Sequence, residues 1–200
     1  GLAVFFLARI LGALYFINNI DDKDLVARSP RSLIGNSVLF LVFFLSFVIR
    51  TLLADGYAVN PETGEIFMEP YKYLTNFIEM PVVLVLFLIG VVLVLFGIGK
   101  SLLKPKFDKG IWFTGIGTVL AVLALLLVAG YNHTAYYPST NDLQSSLTLA
   151  NSCSSEFTLR VMFYVSFLVP FVLAYIFYAW RSIDIHKIDE KEMKDGGHSY

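Results

Sequence analysis

The amino-acid sequence predicts an all-α membrane protein with five transmembrane helices. Hydrophobic residues make up 56% of its 200 residues and charged residues only 16%, whereas soluble domains contain about 45–50% apolar and about 25% charged residues. Apolar runs of the length that crosses a bilayer, about 20 residues, recur along the chain. Since backbone groups inside a bilayer must be hydrogen-bonded internally, these runs are expected to form helices.

Four apolar runs are long enough to cross a bilayer, and a shorter one begins the chain. The four are residues 33–53, 81–99, 111–131 and 157–180, and the shorter one is residues 2–17. The first run is not a signal peptide, because it lacks a basic start and contains Arg9. The chain begins at Gly1 without an initiator Met, so we expect a fragment that is cut inside or just before a helix. Pro170 should kink the last run, because proline removes a helical hydrogen bond.

The distribution of basic residues between the runs predicts the orientation. Residues 18–32, the loop 100–110 and the tail after Trp180 carry eleven Lys and Arg, whereas the acidic loop 54–80 carries only Lys72 and the lip, residues 132–156, carries none. Basic loops remain in the cytoplasm. The three basic segments, including the tail, are therefore predicted to be cytoplasmic, and the acidic loop and the lip to face outward.

Small residues within the runs predict where helices approach closely. They are Ala8, Gly12, Gly35, Gly90, Gly97, Gly99, Gly115 and Gly117.

Arg9 and Glu79 form the candidate intramembrane polar site. Arg9 lies eight residues from Gly1 and eight from Ile17, and a charge at that depth indicates a functional site unless it is a structural anchor to a neighbouring helix or subunit. Glu79 precedes Pro81, where a carboxylate could pass protons or simply favour the positive end of a helix. For Arg50, the simpler expectation is a salt bridge with Asp55 or Glu79.

The sequence offers no catalytic, cofactor-binding or metal-binding residue. Cys153 is the only cysteine, so neither an internal disulfide nor a cysteine metal cage can form. His133, His186 and His198 all lie outside the apolar runs and have no second ligand at helical spacing. Met162 is expected to serve packing. No basic-aromatic patch indicates nucleic acid.

A set of short motifs in the lip and the last run resembles subunit II of the cytochrome bd quinol oxidases. The motifs are Tyr137-Pro138-Ser139, Ser146-Leu147-Thr148, Asn151, Ser154-Ser155, Thr158-Leu159, Met162, Val169-Pro170 and Tyr175. Asp55-Gly56-Tyr57, Asn76-Phe77 with Pro81, and His198-Ser199-Tyr200 support the match. The resemblance covers essentially the whole chain, but only the carboxy-terminal half of the subunit.

The resemblance implies one helix plus a four-helix bundle, because the family's subunit II has eight membrane helices in two bundles of four. The expected division is a truncated helix with a cytoplasmic loop in residues 1–32, the bundle in residues 33–181 and a cytoplasmic tail in residues 182–200. The implied reaction oxidises a quinol and reduces dioxygen to water in a bacterial inner membrane. Haem b, haem d and quinol are expected in the partner subunit I. The other partners are the missing amino-terminal half and the lipid bilayer.

Two further classes remain open from the residues themselves. A proton- or ion-coupled transporter would place Arg9 and Glu79 in its path, but such proteins usually have paired broken helices or several ionisable groups at mid-membrane depth. A membrane assembly protein without enzyme activity would copurify with no haem.

Overall fold

Helices account for most of the chain in the computed structural model, which describes residues 1–20, 23–104 and 107–183. The fold class is confirmed, because five helical segments are long and apolar enough to cross a membrane. In chain order the elements are α1 (Leu2–Asn19), α2 (Lys23–Leu53), β1 (Gly56–Val59), β2 (Ile66–Glu69), α3 (Lys72–Glu79), α4 (Pro81–Leu103), α5 (Gly110–Gly130), a short 3-10 helix (Leu143–Ser145), α6 (Glu156–Ser166) and α7 (Val169–Ile183).

The second helix begins earlier than its apolar run indicates. The apolar runs predict a loop over residues 18–32, but α2 starts at Lys23 and contains Pro30 within its length. The candidate span within this helix is Pro30–Leu53. The end of the apolar run therefore marks the edge of the membrane and not the end of the helix, since charged side chains are compatible with a helix in water.

Two helices, and not one, make up the fifth span. α6 ends at Ser166, and α7 begins at Val169, one residue before Pro170. The predicted kink is therefore confirmed at the residues that precede the proline, where its ring would clash with a helical carbonyl. None of the residues in the span Glu156–Ser182 is buried, so this helical pair stands apart from the rest of the bundle.

The other spans pack closely. Leu14 and Ile10 of α1 are buried with Leu33 and Phe40 of α2 in one core cluster. A second cluster joins α3, α4 and α5 through Phe77, Phe87, Ala124 and other residues. The division of the chain at residue 32 remains a prediction.

Glycines bring α4 and α5 into contact. A Cβ on Gly90 would lie 2.6 Å from the backbone nitrogen of Ala121, and one on Gly117 would lie 2.6 Å from the carbonyl oxygen of Gly90. Gly97 faces the carbonyl oxygen of Gly110 in the same way, at 2.8 Å. The predicted close approach is confirmed at Gly90, Gly97 and Gly117.

At the remaining predicted glycines, no close approach is seen among the residues that the structure describes. A Cβ would meet open space at Gly12, Gly35, Gly99 and Gly115. Glycine frequency in a span thus does not by itself locate the packed face, which depends on where the neighbouring helix lies.

The acidic loop and the lip fold together into a polar cap at one end of the helices. β1 and β2 form an antiparallel hairpin in the acidic loop, with Val59 opposite Ile66. Residues 60–65 form the turn of this hairpin: the Asn60 amide donates to the Glu65 carbonyl at 2.9 Å, and Gly64 takes a φ of 73°. A two-stranded hairpin is marginal by itself, and the lip supplies its missing partners.

The lip covers both edges of this hairpin. On the β1 edge, the Val59 amide donates to the His133 carbonyl and the Ala135 amide donates to the Tyr57 carbonyl, both at 2.8 Å. On the β2 edge, the Gln144 side chain accepts from the Ile66 amide at 3.0 Å and donates to the Ile66 carbonyl at 2.8 Å. These contacts leave no open strand edge at the places they occupy.

Candidate functional site

Arg9 lies on the exposed face of α1. The opposite face is buried through Ile10, Leu14 and Ile17. The Arg9 Cζ atom is 5.8 Å from the centroid of the exposed Phe5 ring, a cation–π contact. Within residues 1–20, 23–104 and 107–183, Arg9 makes no hydrogen bond and no ion pair. Among the described residues, the Phe5 ring is thus the contact that the guanidinium makes.

Glu79 lies in the cap and not beside Arg9. It is the last residue of α3 and is exposed, outside the span that begins at Pro81. Its carboxylate accepts a hydrogen bond from the Asn132 side chain at 2.5 Å. The two residues of the candidate polar site therefore lie on different elements, and no contact joins them in the described part of the chain.

Asn76 is the centre of the polar network that holds Glu79. Its side chain is fully buried. The Nδ2 atom donates to the Val128 carbonyl at 2.9 Å and to the Thr134 hydroxyl at 2.8 Å, while Oδ1 accepts from Asn132 Nδ2 at 3.1 Å. One amide thus joins the end of α5, the start of the lip and α3.

Two residues in the left-handed backbone region form the start of the lip. Asn132 has a φ of 55° and His133 a φ of 52°. Asparagine and histidine tolerate this region better than most residues. The conformation turns the chain sharply at the end of α5, so that Asn132 reaches Asn76 while the His133 carbonyl reaches β1.

His133 itself is exposed and lines a cavity of about 300 Å³ with Val59, Thr134 and Thr148 among other residues. Among the described residues, no group of three or more His, Cys, Asp and Glu is placed to hold a metal ion. His186 and His198 lie outside the described residues. The prediction that this chain supplies no metal or haem ligand stays a prediction.

Two arginines near helix ends differ in whether they form an ion pair. Arg160 forms an exposed ion pair with Glu156, one helical turn away, at 2.5 Å. Arg50 is exposed in the last turn of α2 and pairs with neither Asp55 nor Glu79 in the part of the chain that the structure describes.

Lys72, the only base of the cap loops, forms an ion pair that the sequence did not indicate. Its ammonium lies 3.2 Å from a Glu69 carboxylate oxygen and is largely buried. In the next residue, burial raises the pKa of Tyr73 above its ordinary value of 10.0, and Tyr57 adds to this rise. In the sequence, the scarcity of Lys and Arg in the acidic loop was the only feature that singled out Lys72.

The motif residues of the lip build its internal hydrogen bonds. The buried Ser146 hydroxyl accepts from the Ser139 amide at 3.0 Å and donates to the Leu143 carbonyl at 2.7 Å. Asn151 donates to the Ser146 carbonyl at 2.9 Å and accepts from the Thr148 amide at 2.8 Å. Ser155 caps α6 by accepting from the Thr158 amide at 3.4 Å. The motif therefore specifies one loop conformation.

A family model described as cytochrome bd terminal oxidase subunit II matches residues 1–183. The chain belongs to this family. Membership confirms the resemblance found in the lip and the last span. The family is one of subunits of an oxidoreductase complex, and a subunit II implies a partner subunit I.

Curated relatives of this cytochrome bd subunit II chain are named as subunit 2 of cytochrome bd-I ubiquinol oxidase. The cytochrome bd-I ubiquinol oxidase subunit 2 of Escherichia coli K12 is 28% identical over 156 residues, which cover 76% of this chain and 39% of the relative. The corresponding subunits of Escherichia coli strains O6:H1 and O157:H7 match to the same extent. The chain thus spans about two fifths of the length of these relatives.

Proposed function

We propose that this chain is part of the non-haem-ligating subunit II of a cytochrome bd-type quinol:oxygen oxidoreductase in a bacterial respiratory chain. In this role it packs against a haem-bearing subunit I. Quinol oxidation with reduction of dioxygen to water is the activity of the whole complex, and haem b, haem d and quinol are held by the partner subunit. Family membership and the names of the Escherichia coli relatives support this proposal.

Arg9 is the observation that carries the packing part of the proposal. A charge at mid-bilayer costs about 2.5–3.5 kcal/mol on insertion scales, and the described residues of this chain give Arg9 only the Phe5 ring. The guanidinium therefore takes its acceptor from outside these residues. The rest of subunit II and subunit I are the candidates, since this chain spans only 39% of its relatives.

The chain's own residues are suited to structure and not to haem ligation. His133 lies on an exposed loop, and Met162 is 63% exposed on the fifth span. In this proposal the basic end of the bundle and the tail lie in the cytoplasm and the cap on the outer side of the bacterial inner membrane. The charge distribution supports this orientation.

A visible absorption spectrum of the complex purified through this chain tests the function. Haem b and haem d bands are the expected result, together with oxygen consumption on addition of a quinol. A purified complex without haem would instead support an assembly protein or a transporter.

Substitution of His133, His186 or His198 by Ala should leave the haem bands intact, and loss of one band with normal assembly would contradict our ligand assignment.

Substitution of Arg9 tests the packing. Arg9→Met should lower the amount of assembled complex more than the turnover of what assembles. Arg9→Lys should be tolerated poorly, because a point charge does not reproduce the planar donors of arginine. Full assembly with abolished oxygen consumption would contradict the structural role and place Arg9 in a proton or charge path.

A further inference from the structure

A long apolar groove separates the fifth span from the rest of the bundle at the basic end. Its volume is about 710 Å³, within the range of about 300–1,000 Å³ for small-molecule sites. One wall is α5, from Trp112 to Leu120, and the other is α7, from Leu173 to Trp180. Tyr15 and Asn18 at the end of α1 close the remaining side.

The length of the groove matches one leaflet of a bilayer. Trp112 and Leu120 are eight residues apart on α5, which corresponds to about 12 Å along a helix. Half of the hydrocarbon core measures about 15 Å. An acyl chain that enters at the basic end would therefore fill the groove from the membrane surface towards the bilayer centre.

Both tryptophans of the chain line the groove near its mouth. They are Trp112, in the first turn of α5, and Trp180, near the end of α7. Tryptophan prefers the level of the lipid headgroups, where one side of the ring is apolar and the other is wet. The mouth of the groove thus lies at the membrane surface.

Bases continue both walls of the groove beyond the tryptophans. Lys109 precedes Trp112 by three residues and Ile116 by seven, and Arg181 follows Phe177 by four residues and Leu173 by eight. These spacings lie on one helical face, so each base continues a stripe that lines the groove. Both side chains are exposed and make no ion pair in the described ranges.

We propose that the groove binds one anionic phospholipid. One of its two acyl chains lies between α5 and α7, and its phosphate is held by Lys109 and Arg181. Charge complementarity favours this occupant over an uncharged one, since basic pockets between helices are suited to anionic headgroups. The bound lipid also accounts for a fifth span that stands apart from the bundle without a single buried residue. The proposal does not depend on the redox function of the complex.

Tryptophan fluorescence of the full chain in vesicles tests the proposal, because Trp112 and Trp180 are its only tryptophans. Vesicles of phosphatidylcholine receive a small fraction of brominated phosphatidylglycerol or, in parallel, brominated phosphatidylcholine. Quenching by brominated phosphatidylglycerol should saturate at a lower fraction of brominated lipid than quenching by brominated phosphatidylcholine. Lys109→Gln or Arg181→Gln should each weaken this preference about fivefold, since a base near the membrane surface contributes about that factor. Lys104→Gln, an exposed base at the same end, is the control and should leave it unchanged.

Filling the groove gives a second, charge-independent test. Gly115 lines the groove, and a Cβ there meets open space, so Gly115→Leu should occupy it without displacing protein atoms. The variant should lose the preference for the anionic lipid in the quenching assay. It should also retain less phospholipid in the detergent-purified complex, as measured by mass spectrometry. Gly35→Leu, also in open space but outside the groove, is the control. Equal quenching by the two brominated lipids in the unsubstituted chain would overturn the proposal. So would variants at Lys109, Arg181 and Gly115 that all keep the preference for the anionic lipid, or that all retain as much phospholipid as the unsubstituted chain. Saturable quenching by a quinone alone would also overturn it.

Discussion

Asn76 joins three parts of the chain that are far apart in sequence. Its partners Val128 and Thr134 lie 52 and 58 residues away. The sequence marks Asn76 only as part of a family motif, because a polar residue in a short amphipathic helix is as compatible with an exposed face as with a buried one. Its burial depends on where α5 ends and the lip turns back, and no local pattern determines that geometry. The same holds for Gln144, whose partner is 78 residues away.

Replacing Asn76 by Ala should destabilise the cap by about 2–3 kcal/mol, because the Val128 carbonyl and the Thr134 hydroxyl lose a buried donor. Chemical unfolding of the detergent-solubilised chain, followed by circular dichroism, measures the change. Asn141→Ala, at an exposed position of the same cap, is the matched control. Equal losses in the two variants would contradict the role of Asn76.

At the scale of elements, the α4–α5 pair depends on particular glycines. Gly97→Ala should destabilise this pair by about 1–3 kcal/mol, since the new methyl group would overlap the Thr114 hydroxyl and the Gly110 carbonyl. Gly99→Ala should be neutral or slightly stabilising, because its Cβ meets open space and alanine favours the helix. Thermal unfolding in detergent compares the two, and a similar midpoint for both would show that α4 and α5 are not in close contact at Gly97.

The helix α3 is predicted to be sensitive to alkaline pH. Burial and the neighbouring Tyr57 raise the pKa of Tyr73 above 10.0, so the folded chain holds the phenol proton more tightly than the unfolded chain. The stabilisation is complete below the ordinary pKa and is lost as the pH rises through the raised value. Unfolding midpoints measured between about pH 9 and pH 11 should therefore fall less steeply in Tyr73→Phe than in the unsubstituted chain. The same slope in both would contradict the pKa shift.

For the molecule as a whole, the sequence predicts the number and place of the membrane spans well, because apolar length is a local property. It does not predict the hairpin, the separate α3 or the start of α2 at Lys23. Each of these lies in water-facing segments, where turn residues and charges are compatible with several structures. The sequence also places Arg9 within the first apolar run, which the structure has as α1, whereas its exposed face follows only from how α1 packs on α2.

The orientation of the whole chain is tested through Cys153, its only and exposed thiol. An impermeant maleimide added to intact cells should label it, because the lip is predicted to face outward. In a Cys153→Ser background, Thr63→Cys in the same cap should be labelled equally, and Lys104→Cys at the basic end only after the membrane is opened. The reverse pattern would invert the topology.

The contact between Gln144 and Ile66 also restricts the order of biosynthesis. These residues are 78 positions apart, and α4 and α5 lie between them. The hairpin therefore emerges from the ribosome well before the segment that covers its edges. It can form its contacts with that segment only after α4 and α5 have entered and recrossed the membrane. Closure of the cap is thus a late event that reports correct insertion of α4 and α5. A chain in which this pair fails to insert leaves bare strand edges, which can pair with other chains and aggregate.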